Sequence, residues 1–103
     1  MKVTKEILNK VLELKAVASR EDLDAYLCEQ DSDVVRDIMA IMYLGQPPYE
    51  DLSHMTEQQM FDLYRDHAAW SEDDLSLNVQ QITQKAQLRD YLLTGCKRVG
   101  FAL

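Results

Sequence analysis

The residues of this chain that could do chemistry are few. Catalysis needs gathered polar groups, such as a nucleophile beside a base or two carboxylates in unlike surroundings. The strongest such set is His67 with Asp62 and Asp66, all within five or fewer positions of each other on a segment with helical periodicity. A histidine there could act as a base or a metal ligand, but a solvated surface histidine among carboxylates explains the same pattern without a reaction. Ser53 precedes His54 directly, and neighbouring side chains rarely point at one another, so this pair does not read as an activated nucleophile. Asp33 with Asp37, and Asp62 with Asp66, have the one-turn spacing that stacks two carboxylates. Two ligands do not complete a metal site, and the Glu-x-x-His pair of carboxylate-bridged bundle sites does not occur. Phosphate-cradling glycine loops, nucleotide fingerprints and calcium-loop spacings are also missing, so the sequence implies no cofactor, no metal and no catalytic residue.

The residue types that remain belong to recognition. Tyr43, Tyr49, Tyr64 and Trp70 are of the kinds that anchor protein interfaces, and Pro47-Pro48-Tyr49 presents an aromatic ring on a stiff loop. With His67 they form the candidate interaction surface. The competing assignment is that most of these rings complete a small core.

The elements that must hold these residues are helices. With three glycines and two adjacent prolines among 103 residues, the chain has too little turn chemistry for a sheet of many hairpins. Val3, Ile7, Leu8, Val11, Leu12, Leu14 and Val17 form an apolar stripe at helical spacing; Thr4 is placed to cap it, and Val3 to staple onto Leu8. Ser19 with Asp22 opens a second helix that stops near Gln30. Asp31-Ser32 opens a third, the most apolar, through Val34, Val35, Ile38, Met39, Ile41, Met42 and Leu44 to a stop at Gly45. After the proline loop, Thr56-Glu57-Gln58-Gln59 is a capping box with Met55 and Met60 at the staple positions, and Ser71 with Asp74 repeats the start signal. Leu75, Val79, Ile82 and Ala86, then Leu88, Leu92, Cys96 and Val99, carry the pattern to the end; whether residues 72 to 99 are one helix or two, broken near Thr83, stays open. The expectation is an all-α, single-domain bundle of five or six short helices over residues 1 to 103.

Composition limits function further. The hydrophobic fraction of 47% with 28% charged residues fits a folded globular chain. The net charge of -7 is unevenly spread: +3 over residues 1 to 20, -13 over residues 21 to 74 and +3 over residues 75 to 103. Nucleic-acid binding depends on clustered Lys and Arg, so the acidic middle argues against it and favours a basic protein partner. No apolar stretch is long enough for a membrane span, and Met1 to Lys10 is charged where a leader would be apolar. Cys28 and Cys96 fit no metal spacing and read as reduced, largely buried thiols of a cytoplasmic protein. The segments Asp33-Val34-Val35-Arg36-Asp37 and Asp62-Leu63-Tyr64-Arg65-Asp66 echo each other, and ordinary pairing of an acid with an arginine three positions on accounts for the echo.

Arg20-Glu21-Asp22-Leu23, Ile38-Met39-Ala40-Ile41-Met42-Tyr43-Leu44-Gly45, Leu88-Arg89-Asp90-Tyr91-Leu92 and Gly95 resemble segments of the bacterial domain-of-unknown-function family 3775. The resemblance spans roughly residues 20 to 100, with Tyr43 where that family usually has tryptophan. It implies an all-helical bacterial protein and supplies no activity. Three function classes follow. The first is a non-enzymatic helical module that binds a protein partner or itself as a homodimer. The second is an acidic inhibitor or antitoxin-like protein that covers a basic partner, and the third a metal-binding or enzymatic protein centred on His67.

Overall fold

Among the described residues six helices form, and the residues that cap them are mostly those whose side chains compete for backbone groups in solution. The structure is a computed structural model that describes residues 1 to 68 and 74 to 103. Helix α1 spans Lys5–Val17, α2 Arg20–Cys28, α3 Ser32–Leu44, α4 Glu57–Ala68, α5 Leu75–Thr83 and α6 Leu88–Arg98. The Thr4 hydroxyl accepts from the Ile7 N–H, Ser19 from Asp22, the Asp31 carboxylate from Asp33 and Asp74 from Leu77. At α4 the capping box is reciprocal, with Gln59 N–H donating to Thr56 Oγ1 at 3.1 Å and Thr56 N–H to Gln59 Oε1 at 2.9 Å. Asp74 itself caps α5; Ser71 lies outside the described residues. The C-terminal pattern divides into two helices that break after Thr83, and Ala86 in the turn between them is exposed.

Helix α3 is the centre of the molecule. It packs against α4, α5 and α6, while α2 joins α1 to α5 and α1 closes on α6. Every residue from Ile38 to Met42 has no solvent exposure, a run that a helix can show only when it is covered on all sides. Each large side chain among them contributes roughly 1.5 to 3 kcal/mol by leaving water. The radius of gyration, 12.7 Å, matches the ~13 Å of a compact domain of about a hundred residues. No helix among the described residues is long and apolar enough to cross a membrane.

Two glycines let α6 reach α3. A Cβ on Gly95 would overlap the Ile41 carbonyl oxygen, and one on Gly45 would overlap the Tyr91 carbonyl oxygen, so the helices touch backbone to backbone. A third glycine ends α6. Gly100, at φ 70°, occupies the left-handed region, with Phe101 N–H donating to the Cys96 carbonyl at 2.8 Å and Gly100 N–H to that of Lys97, the two bonds of a Schellman turn.

Besides Ala86, two expectations of burial fail. Val17 is 78% exposed, because α1 ends there and Ala18 turns the chain into α2 before the apolar stripe can find a partner. Cys28 is exposed at the last position of α2, on the side facing away from the Leu23 and Leu27 that bury that helix, whereas Cys96 is buried. Burial pushes the Cys96 thiol up to about 11.

Two outcomes follow. In the native protein a thiol reagent at neutral pH should titrate one cysteine, Cys28, and in denaturant two; rapid labelling of both in native protein would contradict the packing of α6. Helix propensity alone predicts that Gly95→Ala gains about 1 kcal/mol. The overlap with a helix carbonyl should instead produce a net loss of about 2 kcal/mol, read from urea unfolding.

Candidate functional site

The aromatic residues singled out by the sequence divide between two levels of burial. Tyr43, on the last turn of α3, is half-buried; its hydroxyl donates to Gln81 Oε1 at 2.8 Å, and Lys85 Nζ lies 5.6 Å from its ring centre. Tyr64, on α4, is half-buried with its ring edge-on to that of His67, centroids 6.1 Å apart. Both phenols lie above their ordinary value, Tyr43 through burial, Tyr64 through burial and the neighbouring Glu50 carboxylate. Tyr43, Tyr64 and His67 line one open groove of about 430 Å³ with Gln46, Pro47, Pro48 and Glu50. Tyr49 is 57% exposed and does not line it; its ring stacks instead beneath the Arg98 guanidinium at 5.8 Å. Trp70 lies outside the described residues.

Arg98 sets the shape of the groove. The last turn of a helix leaves carbonyls without partners. Arg98 Nη1 donates to that of Leu44 at the end of α3 at 2.8 Å, and Nη2 to the Glu50 backbone carbonyl in the loop at 2.9 Å. One side chain of α6 therefore ends α3 and fixes the loop that carries Pro47, Pro48 and Glu50. The sequence offered a faint signal for it, a cation in the final turn of α6, where basic residues suit the dipole of their own helix.

The carboxylates gather elsewhere. Asp33, Asp37, Asp62 and Asp66 line a polar depression of about 470 Å³ between α3 and α4, together with Lys2 and Arg65. Asp37 is buried, and its Oδ2 accepts the backbone N–H groups of Lys2 at 2.6 Å and Val3 at 3.0 Å while Oδ1 accepts Arg65 Nε. Arg65 Nη2 donates to Asp33 Oδ1 at 2.9 Å, and Lys2 Nζ to Asp33 Oδ2 at 2.9 Å. The stacked pair Asp33 and Asp37 thus receives a guanidinium, whose fork matches two carboxylates. Among the described residues no three His, Cys, Asp or Glu side chains are arranged to hold a metal ion.

This geometry corrects the expected surface pairing of Arg65 with Asp62. Arg65 crosses to α3, and Asp62 accepts from Gln58 Nε2 at 2.9 Å; only Arg36, 3.8 Å from Asp33, keeps the pairing three positions apart. It also separates His67 from Asp62 and Asp66. A helix turns about 100° per residue, so Asp62 and Asp66 share the face beside α3's polar edge while His67 turns to the aromatic groove. Ser53 Oγ donates to Asp51 Oδ1 at 2.7 Å in a local turn, and those contacts lower the Asp51 pKa.

Lys2 holds the Asp33 carboxyl below its ordinary 3.8, with Arg65 adding to the effect, and Asp33 in turn raises Lys2 above 10.5. A depressed acid stabilises the fold above its unfolded value and loses that contribution as pH falls through the folded one; a raised base behaves oppositely at high pH. The difference in urea midpoint between wild type and Asp33→Asn should be largest between about pH 5 and 9 and shrink below pH 4 and above 10.5. An undiminished difference at pH 3 would refute the assignment. Compared with known proteins, the chain matches no family model, no curated protein and no solved structure.

Proposed function

We propose that this chain is a non-enzymatic helical protein-protein interaction module whose contact surface is the groove of Tyr43, Tyr64 and His67. The observation that carries the reading is the convergence of these three residues, from two helices, on one open cleft beside the proline loop. Half-buried tyrosines flanking an exposed cleft supply apolar area with polar edges, the composition of interface anchors. Asp33, Asp37 and Arg65 are bound to one another at the separate depression, apart from the groove. The same surface serves the second reading, an acidic inhibitor or antitoxin-like protein, since Glu50 lies in it within the acidic middle of the chain. Free Cys28 and Cys96 support a reducing, cytoplasmic setting, in keeping with the resemblance to a bacterial helical family.

The test is crosslinking of the tagged chain in its host cell, with sedimentation of the pure protein at micromolar concentration. A partner or a homodimer should be captured by wild type and lost with Tyr64→Ala, while the melting temperature shows that the variant still folds. Absence of any partner and of self-association, or capture that ignores Tyr64, would sink the proposal.

A further inference from the structure

Helix α5 is set apart by its charge. The chain is 28% charged and the other five described helices all carry acidic and basic side chains, yet Leu75–Thr83 carries none. Its inner face closes onto the core through Asn78, Val79, Ile82 and Thr83, all buried. The outer face holds Ser76, Leu77, Gln80 and Gln84, all exposed, with Leu77 at 43%. At the helical turn per residue these four fall within an arc of about 100°. Depletion of charge, more than hydrophobicity, distinguishes the centre of a protein interface from the rest of a surface.

Charge returns at the two ends of this face. Asp74 caps the start of α5, and Lys85 follows its C-cap, Gln84, with the ammonium 5.6 Å from the Tyr43 ring centre. Neither makes an ion pair among the described residues. The order of acid, uncharged middle and base is complementary to its own reverse. Against an antiparallel second copy, Asp74 of one lies beside Lys85 of the other at both ends, and Gln80, near the midpoint, meets itself. A primary amide both donates and accepts, so two glutamines satisfy each other, and Leu77 is withdrawn from water. Over other surfaces two copies of a chain with net charge -7 repel: α2, packed against α5, carries Glu21, Asp22 and Asp24 against Arg20. The uncharged strip lets copies approach without that repulsion.

We propose that α5 pairs with α5 of a second copy about a two-fold axis at Gln80, forming an antiparallel homodimer. With nine residues the helix is about 13 Å long. The pair therefore covers less than the roughly 800 Å² per partner of a standard interface, and it forms at concentrations on the order of 0.1 to 1 mM. The residues lining the groove are not on this face, so the dimer presents two open grooves.

The experiment is sedimentation equilibrium with amide chemical shifts, from about 20 μM to about 2 mM. Wild type should pass from monomer to dimer, with the Gln80 and Leu77 amides moving as it does. Gln80 is exposed, and Glu and Lys match Gln in helix propensity, so Gln80→Glu and Gln80→Lys keep the fold. Each sets like charges against each other on the axis and should weaken pairing about tenfold, while an equimolar mixture of the two should restore it. A wild type that stays monomeric overturns the proposal. Pairing that ignores both Gln80 variants overturns the face, and loss in each without recovery in the mixture overturns the two-fold axis. Pairing abolished by Tyr64→Ala belongs to the groove and overturns α5. The groove reading is tested at micromolar concentration, where the α5 pair is dissociated, so either fails without the other.

Discussion

The backbone contact between α3 and α6 is the constraint on which the rest of this structure depends. A central helix is enclosed on every side only if its neighbours come close enough to leave no water-sized gap. Here Gly45 and Gly95 let α6 lie directly on the last turns of α3. Glycine inside a helix is unfavourable by itself, and the close approach offsets that cost with dispersion contacts and buried apolar area around Ile41, Leu92 and Cys96. The same approach brings Arg98 within reach of Leu44 and the proline loop. The groove is thus a by-product of core packing: its floor is the end of α3, one wall is α4 and its rim is a loop tethered from α6.

The second constraint is ionic. Asp37 is buried on the most apolar of the helices, where an unpaired charge would cost several kcal/mol. Three donors surround it, two of them backbone amides of the segment before α1. A charge so placed adds little net stability compared with an apolar residue of the same shape, but it accepts only one arrangement of its partners. It fixes where the N-terminal segment crosses α3 and how α4 is rotated about its own axis. That rotation is what turns Tyr64 and His67 to the aromatic side and Asp62 and Asp66 to the polar one.

Much of this was legible beforehand because local signals and tertiary packing agree. Thr4, Ser19, Asp31 and Thr56 mark helix starts that the fold uses, and the stripe from Val34 to Leu44 announces the most buried helix. The grouping of Tyr43, Tyr64 and His67 was legible only as residue types, since nothing in the spacing places the end of α3 against α4. Arg65 and Arg98 were harder still. A long cationic side chain can satisfy its own helix or a neighbour, and which one it serves depends on crossing angles that periodicity does not encode. The burial of Val17 and Cys28 failed because apolar residues at a helix end have no guaranteed partner once the chain turns. Asn78 and Thr83, both buried on α5, were hidden for the opposite reason: a polar residue on an otherwise plausible apolar face reads as solvent-facing.

Arg98 links parts of the molecule that are distant along the chain. Its guanidinium grips two carbonyls and lies over the Tyr49 ring, while its own backbone belongs to the final turn of α6, immediately before the Schellman turn at Gly100. The proline loop and the closing turn of the last helix are therefore fastened by one rivet. Any load placed on the loop is transmitted to the far end of the polypeptide, and anything that unwinds that end slackens the loop.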